Sequence, residues 1–214
     1  MMHPELLARA ISGIVSPRTS IDEFMVNSMI FSKSVAREVL NYLHLRGVGS
    51  ISNGIITFLP ADRLKTAIMA LQDGCDIERV SIALTWRDFE ALTVEVLKRF
   101  GYKTHLNVRF KKPRCEIDVI GIDSRYAIVI DCKHWKRSDI SSIYKYAKKQ
   151  LIRTQHLLQS KTTTITSAMP VLLTLHCEKV KFVNKVPVIP INALAAFLCE
   201  FDWNCQEFHI VYHD

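Results

Sequence analysis

Residues 114–135 read RCEIDVIGIDSRYAIVIDCKHW, and the reading of this stretch decides the fold. Two β-branched runs, Val119, Ile120 and Ile122, then Ile128, Val129 and Ile130, are separated by Gly121 and Asp123-Ser124. Branched side chains suit buried strands and Gly, Asp and Ser suit turns, so the pattern predicts a β-hairpin. Its charges sit at unusual places: Glu116 and Asp118 in the first strand, Asp131 and Lys133 at the end of the second. Because side chains alternate faces along a strand, each pair shares a face. Two adjacent strands can therefore present three carboxylates and one ammonium to a single point.

The chain around the hairpin has 214 residues, enough for one medium domain or two small ones, and is 49% hydrophobic and 23% charged, as in an ordinary soluble globular protein. No apolar run approaches the roughly 18 residues that span a bilayer, and the N-terminus lacks signal-peptide features. These readings predict a cytoplasmic protein with no membrane partner and no small-molecule cofactor. The six cysteines, at 75, 115, 132, 177, 199 and 205, form no C-x-x-C pair and no zinc spacing, which predicts buried free thiols. The net charge of +7 is uneven: residues 101–161 hold fourteen Lys and Arg against five Asp and Glu, whereas residues 1–80 hold eight of each. Basic charge around a nest of acids suits a polyanionic substrate, with the acids holding a cation. A solvated basic face is the plainer reading of Lys111-Lys112 or Lys148-Lys149 alone.

Residues 1–75 read as a small helical unit. Helical spacing spans Pro4 to Val15, Ser20-Ile21-Asp22-Glu23 is a capping box opening a second helix to about Ile30, and a third runs from about Ser34 to Arg46 with Gly47 as its stop. Asn53-Gly54 between apolar runs predicts a hairpin, and Pro60 fits the first turn of a fourth helix ending near Asp73-Gly74. Three helices and a hairpin resemble a winged-helix domain, whose third helix would present Lys33, Arg37, Asn41 and His44 to DNA. The domain is neutral, so an interaction or dimerisation module is an equal alternative.

Residues 76–84 read as a linker, and Thr85-Trp86-Arg87-Asp88 has the spacing of a helix start, with Gly101 as the stop. At 100° per residue, Trp86, Phe89, Leu92, Val94, Val96, Leu97 and Phe100 share an apolar arc, and Glu90 falls inside it. A carboxylate on a buried face costs several kcal/mol unless a metal or a base answers it. Glu90 is therefore a candidate site residue on position alone, a structural salt bridge being the alternative.

Asp118 on one strand with Asp131-Cys132-Lys133 on the next resembles the active site of the PD-(D/E)XK nuclease superfamily, although the proline of that name has no counterpart here. The run Trp86 to Leu92, with Leu97 and Phe100-Gly101-Tyr102, resembles the opening helix of Mrr-like restriction endonucleases and archaeal Holliday-junction resolvases, where a helix acid joins the strand acids. The order helix, acidic hairpin, basic helix, strand, helix is also that superfamily's core, and the resemblance covers roughly residues 85–200. It implies an α/β restriction-endonuclease-like core, a mixed central sheet flanked by helices, over residues 85–214, preceded by the winged-helix-like domain.

The activity implied is Mg²⁺-dependent hydrolysis of DNA phosphodiesters, with Mn²⁺ as a substitute, since oxygen ligands without histidine select these ions over zinc. Asp118, Asp131 and the carbonyl of Cys132 would hold the ion, Glu90 or Glu116 a second ion or its waters, and Lys133 would act on the water or the phosphoryl oxygens. Glu90, Asp118, Asp131 and Lys133 are thus the expected catalytic set. Lys111, Lys112, Arg114, Lys136, Arg137, Lys145, Lys148 and Lys149 are expected to face DNA, with Arg153, Tyr146 and Gln150 on the same helix near the site. Cutting two strands with one site per chain implies a homodimer. A DNA-binding regulator with an inert nuclease-like domain and an RNA-processing nuclease are the alternatives. Further strands are expected over Pro170–Leu175, Val186–Ile191 (at an edge) and Phe208–Tyr212, with a helix over Ile191–Phe201.

Overall fold

A computed structural model describes residues 2–15, 17–124, 126–160, 165–176, 178–204 and 208–212, with 201–204 as backbone. The chain divides into two compact units, Met1–Asp88 and Phe89–Asp214. Together they make a mixed α/β protein, and among the described residues no helix is long and apolar enough to cross a membrane.

In the first unit, α1 (Pro4–Gly13), α2 (Ile21–Ser28) and α3 (Lys33–Leu45) bury Leu7, Ile11, Phe24 and Leu43 completely. The capping box forms as its sequence predicts. The Glu23 carboxylate accepts from the Ser20 N–H at 2.8 Å, and the Ser20 hydroxyl accepts from the Glu23 N–H at 3.2 Å. Three short strands, β1 (Arg18–Ser20), β2 (Ser50–Ser52) and β3 (Ile55–Thr57), pair antiparallel in the order β1-β3-β2. Asn53 and Gly54 both take positive φ, 51° and 78°, which twists the two-residue turn with the strands it joins. The β1 strand has no sequence signal beyond Thr19 and is found only through its pairing. Pro60 and Ala61 form a turn, and the α4 helix (Asp62–Gln72) begins two residues after Pro60, not on it, with Asp62. Its buried carboxylate accepts the N–H groups of Gly49 and Leu59 and ties the base of the hairpin. The expected linker 76–84 contains a further helix, α5 (Ile77–Ile82), capped by Asp76 and buried at Val80.

The second unit is a seven-stranded mixed sheet with helices on it. After α6 (Trp86–Arg99), β4 (Lys103–Lys111), β5 (Arg114–Ile122) and β6 (Ala127–Lys133) form an antiparallel meander. The chain crosses over through α7 (Ile140–Gln159) and returns as β7 (Ser167–Thr174), parallel to β6. Outside β7 lie β9 (Val186–Pro190), parallel to it, and then β8 (Phe182–Val183), while β10 (Val211–Tyr212) pairs with the start of β7. A 3₁₀ turn, Ile191–Ala193, leads into α8 (Leu194–Asn204).

Residues 103–111 form a strand that sequence reading passed over, even though Leu106, Val108 and Phe110 alternate with Asn107, Arg109 and Lys111. The strand expected at the edge, β9, has neighbours on both sides. Val183 is joined to Val186 by Asn184 and Lys185 at positive φ, a two-residue hairpin turn with no glycine to announce it. The cysteines are not uniformly buried: Cys75, Cys115 and Cys132 are half-buried free thiols and Cys199 is exposed, while Cys177 and Cys205 lie outside the described residues.

Helix α7 covers one face of the sheet, packing Leu157 and Leu158 on Ile120, Ala127, Val129 and Ala168, and Ile143 and Ala147 on Leu172, Val186 and Val188. Helix α6 covers the other. Gly121 lies so close beneath it that a Cβ there would meet Leu97 at 3.1 Å. Pro170 is tolerated inside β7 because, on the side away from β6, β10 pairs only as far as Ala168 and β9 begins at Leu172. A missing N–H in that gap breaks no ladder bond.

Candidate functional site

The pairing of β5 with β6 ends at Val119–Ile130, one position short of Asp118 and Asp131. Continued by one step, the register would set these acids directly opposite on the α7 face. Instead the Asp118 side chain takes the place of a ladder bond, its Oδ2 accepting the Cys132 N–H at 2.8 Å. Across β5 on the other side, Asn107 sits at the position facing Asp118 and has φ of 54°, a left-handed conformation inside a strand.

Asp131 is 1% exposed and has a cation at each oxygen. Lys133, two residues on and so on the same face, brings Nζ to 2.7 Å from Oδ2, and Arg153 on α7 brings Nη1 to 2.5 Å from Oδ1. The Lys133 contact is an ion pair only. Among the described residues that buried oxygen has no hydrogen-bond partner. The lysine also stands 4.7 Å from the centre of the Tyr146 ring, itself packed edge-on against Trp135.

Glu90 is buried on α6 beside Phe89, Leu92 and Leu97, and among the described residues its Oε2 has no hydrogen-bond partner. Burial, and then repulsion from Asp118 and Glu116, raises its pKa from 4.5 to about 7. Asp118 is raised from 3.8 to about 6, first by burial and then by Asp131, against the opposing pull of the Cys132 N–H, Lys133 and Arg153. Two carboxylates are therefore short of positive charge while their neighbour has two cations.

The structure brings Asp118, Cys132, Asp131 and Lys133 into direct contact and leaves Glu90 within electrostatic reach of them. Glu116 is placed differently: on β5 it pairs with Arg109 of β4, Nε to Oε2 at 3.2 Å, and is half-exposed. Lys111, Lys112 and Arg114 are exposed at the β4–β5 tip, and Lys136 and Arg137 are exposed just after β6. On α7, Lys149 lies on the flank of Tyr146 and Arg153, 5.5 Å from the Tyr146 ring, whereas helical spacing turns Lys145 and Lys148 to the outer face. Gln150 is fully buried and donates to the Val129 carbonyl at 2.7 Å, which fixes α7 over β6. In the first unit Lys33, Arg37, Asn41 and His44 are all exposed on α3, with Lys33 paired to Asp22. The pairing of Arg153 with Asp131 is the feature sequence reasoning missed. Arg153 is expected on the same helix as Gln150, near the site, but nothing in the sequence names its partner.

The donor set suits a hard divalent cation: buried carboxylate oxygens, two of them without hydrogen bonds. As the side chains stand, no three His, Cys, Asp or Glu among the described residues are gathered to hold a metal ion.

No family model matches the sequence, and no curated protein matches it. Among solved structures, protein VC1899 from Vibrio cholerae is similar at a TM-score of 0.46 and 14% identity, over 96% of this chain and 52% of that one. A protein of unknown function, AF1548, is similar at a TM-score of 0.33 and 17% identity, over 42% of this chain and 47% of that one. The match spans about half the length of each of these proteins, and neither likeness is close enough to carry an argument about chemistry.

Proposed function

We propose that the second unit is a metal-dependent endonuclease of the PD-(D/E)XK kind, of the Mrr-like or archaeal Holliday-junction-resolvase-like branch, acting on DNA. The observation that carries this reading is the meeting of Asp118, Asp131 and Lys133 where the β5–β6 ladder opens, with Glu90 buried nearby and its Oε2 without a hydrogen-bond partner among the described residues. Support also comes from the order of α6, the acidic hairpin, α7 and β7, and from the basic excess of residues 101–161. In the first unit, the run of α1, α2 and α3 followed by the β2–β3 hairpin, with an exposed polar face on α3, supports a winged-helix-like module that binds DNA or a second copy.

On this reading Asp118, Asp131 and the Cys132 carbonyl would hold Mg²⁺ or Mn²⁺, with Glu90 completing the set rather than Glu116, which Arg109 already engages. The bound ion would supply Lewis acidity and a water of lowered pKa. Lys133 is held by Asp131 and Tyr146 with its ammonium facing the acids, where it orients the attacking water or takes up charge on the phosphoryl oxygens. Lys149, Lys136 and Arg137 attract the backbone phosphates, and the superfamily resemblance implies 3′-hydroxyl and 5′-phosphate products.

The test is cleavage of supercoiled, linear, branched and methylated DNA, and of RNA, with Mg²⁺ or Mn²⁺. Asp118→Ala and Lys133→Ala should each lose cutting by two to three orders of magnitude, about 3 kcal/mol in the transition state, while keeping fold and DNA affinity. Unchanged cleavage by either variant removes that residue from the site. One observation favours a second reading, a DNA-binding regulator with an inert nuclease-like unit: the carboxylate of Asp131 already has two cations. DNA binding with no cleavage on any substrate of the panel would select it.

A further inference from the structure

We infer that Arg153 is a stand-in cation. It holds Asp131 while the site has no divalent ion, gives up that oxygen when one binds, and is then free for the anionic substrate. The inference rests on the nuclease reading of the same site and adds to it a positioning residue outside the acid and lysine pattern.

Glu90, Asp118 and Asp131 carry three negative charges when ionised, and Lys133 and Arg153 supply two positive ones. The distribution is lopsided, because both cations sit on Asp131. Among the described residues Asp118 has the Cys132 N–H and no cation within ion-pair distance, and the Oε2 of Glu90 has no partner. A divalent ion shared by the three acids would serve the two that lack a counter-charge, but it also needs an oxygen of Asp131, and both are faced by cations. With the ion added, positive charge exceeds negative by one, so one of the two cations becomes surplus.

The surroundings of the two cations decide which one leaves. Lys133 is 14% exposed, follows Asp131 by two residues on the same strand, and rests near the Tyr146 ring and the Cys132 carbonyl. Its ammonium has the Cys132 carbonyl and the Tyr146 ring within reach besides Asp131, so it can turn from the acid without leaving the site. Arg153 is 23% exposed and reaches the acid from α7, and among the described residues Asp131 is its one hydrogen-bond partner. Once displaced, its guanidinium loses one ion pair and keeps a fork of donors that fits a phosphate bidentately. It also shares its helix flank with Lys149, so the freed charge joins a basic edge already present.

The experiment uses the full chain and the variants Arg153→Met, which keeps the stem and removes the charge, and Arg153→Lys, which keeps a charge but not the fork. Mn²⁺ binding is measured by calorimetry without DNA, alongside thermal unfolding with and without Mn²⁺, with Asp118→Ala as the reference that should abolish binding. Arg153→Met should melt lower than wild type without metal, because Asp131 loses one partner. It should nevertheless bind Mn²⁺ on the order of tenfold more tightly, because nothing has to be displaced from Oδ1. Arg153→Lys should fall between, and both variants should lower kcat for DNA cleavage. A purely structural ion pair predicts the opposite sign for affinity, since loosening the site would weaken the metal. If Asp118-dependent Mn²⁺ binding is present and equal or weaker in Arg153→Met, the Arg153 inference is overturned and the nuclease reading stands. If neither wild type nor the variant binds Mn²⁺, the metal reading falls and takes the inference with it. Should Arg153→Met fail to fold, Arg153→Lys against wild type decides the same affinity question.

Discussion

At the scale of single residues, Glu90 has the most direct consequence in solution. Its pKa of about 7 in the folded chain lies above the 4.5 of an ordinary glutamate, because burial and the charges of Asp118 and Glu116 disfavour the ionised form. Between these two values the native state holds a proton that the unfolded chain has released, so stability is present at low pH and is lost as pH rises through the window. The loss from Glu90 reaches at most about 3 kcal/mol by pH 8, and Asp118, raised to about 6, acts with the same sign. Urea unfolding of the metal-free chain should therefore show lower stability at about pH 8 than at about pH 5. Glu90→Gln should flatten much of that slope, and Mg²⁺ should stabilise wild type more at the higher pH, where the acids are ionised. Identical pH slopes for wild type and Glu90→Gln would mean that the carboxylate is not held in a desolvated position. Glu90 also shows how far one residue was legible. Its place among Phe89, Leu92 and Leu97 on an apolar arc is visible by helical spacing, and it is buried there. Trp86 and Phe100, assigned to the same arc, remain 55% and 38% exposed, because they stand at the helix ends where the packing surface runs out, and Thr93 is buried in their stead.

At the scale of elements, local rules succeeded where a pattern of period two or a cap dominates. The β5–β6 hairpin follows from its branched residues and turn, and the start of α2 from its capping box. The pairing of Arg153 with Asp131 was not legible, because it depends on the crossover that sets α7 over β6. That placement is fixed by packing and by Gln150 on the Val129 carbonyl, none of which spacing reveals. The strand β4 was passed over because its alternating residues are mostly exposed and its partner, not its own sequence, completes it. In the first unit, packing and propensity can be set against each other at Gly13, in the last turn of α1. Alanine is preferred over glycine within a helix by up to about 1 kcal/mol. Here, however, a Cβ would stand 2.5 Å from the ring of Phe24, which is fully buried and has nowhere to withdraw. Overpacking of this kind costs about 1–3 kcal/mol and should win. Gly13→Ala is therefore expected to lower the melting temperature of the full chain, and a rise would show that α1 and α2 separate freely.

At the scale of the whole molecule, the distribution of charge separates two accounts of how DNA would be held. The first unit is close to neutral and offers Lys33, Arg37, Asn41 and His44 along one helix, while the second has its basic residues at the β4–β5 tip, after β6 and on α7. Phosphate contacts release counterions, so each one adds roughly 0.9 to the slope of log affinity against log salt on duplex DNA. Replacing Lys111, Lys112 and Arg114 together with glutamine should reduce that slope by about two to three and weaken all sequences alike, if the tip lies along the backbone. Replacing Arg37 and Asn41 with alanine should leave the slope within about one unit and, if α3 reads bases, reduce the difference in affinity between one DNA sequence and another. The two variants thus report on different terms of the binding free energy. A large loss of slope at the tip with no change from α3 would assign DNA binding to the second unit and leave the first to hold a second copy of the chain. Sedimentation of the Arg37 and Asn41 variant without DNA would then be expected to show a smaller assembly than wild type. If instead the tip variant keeps its full slope, the basic excess of residues 101–161 is a solvated face, and the electrostatic support for a polyanionic substrate is withdrawn.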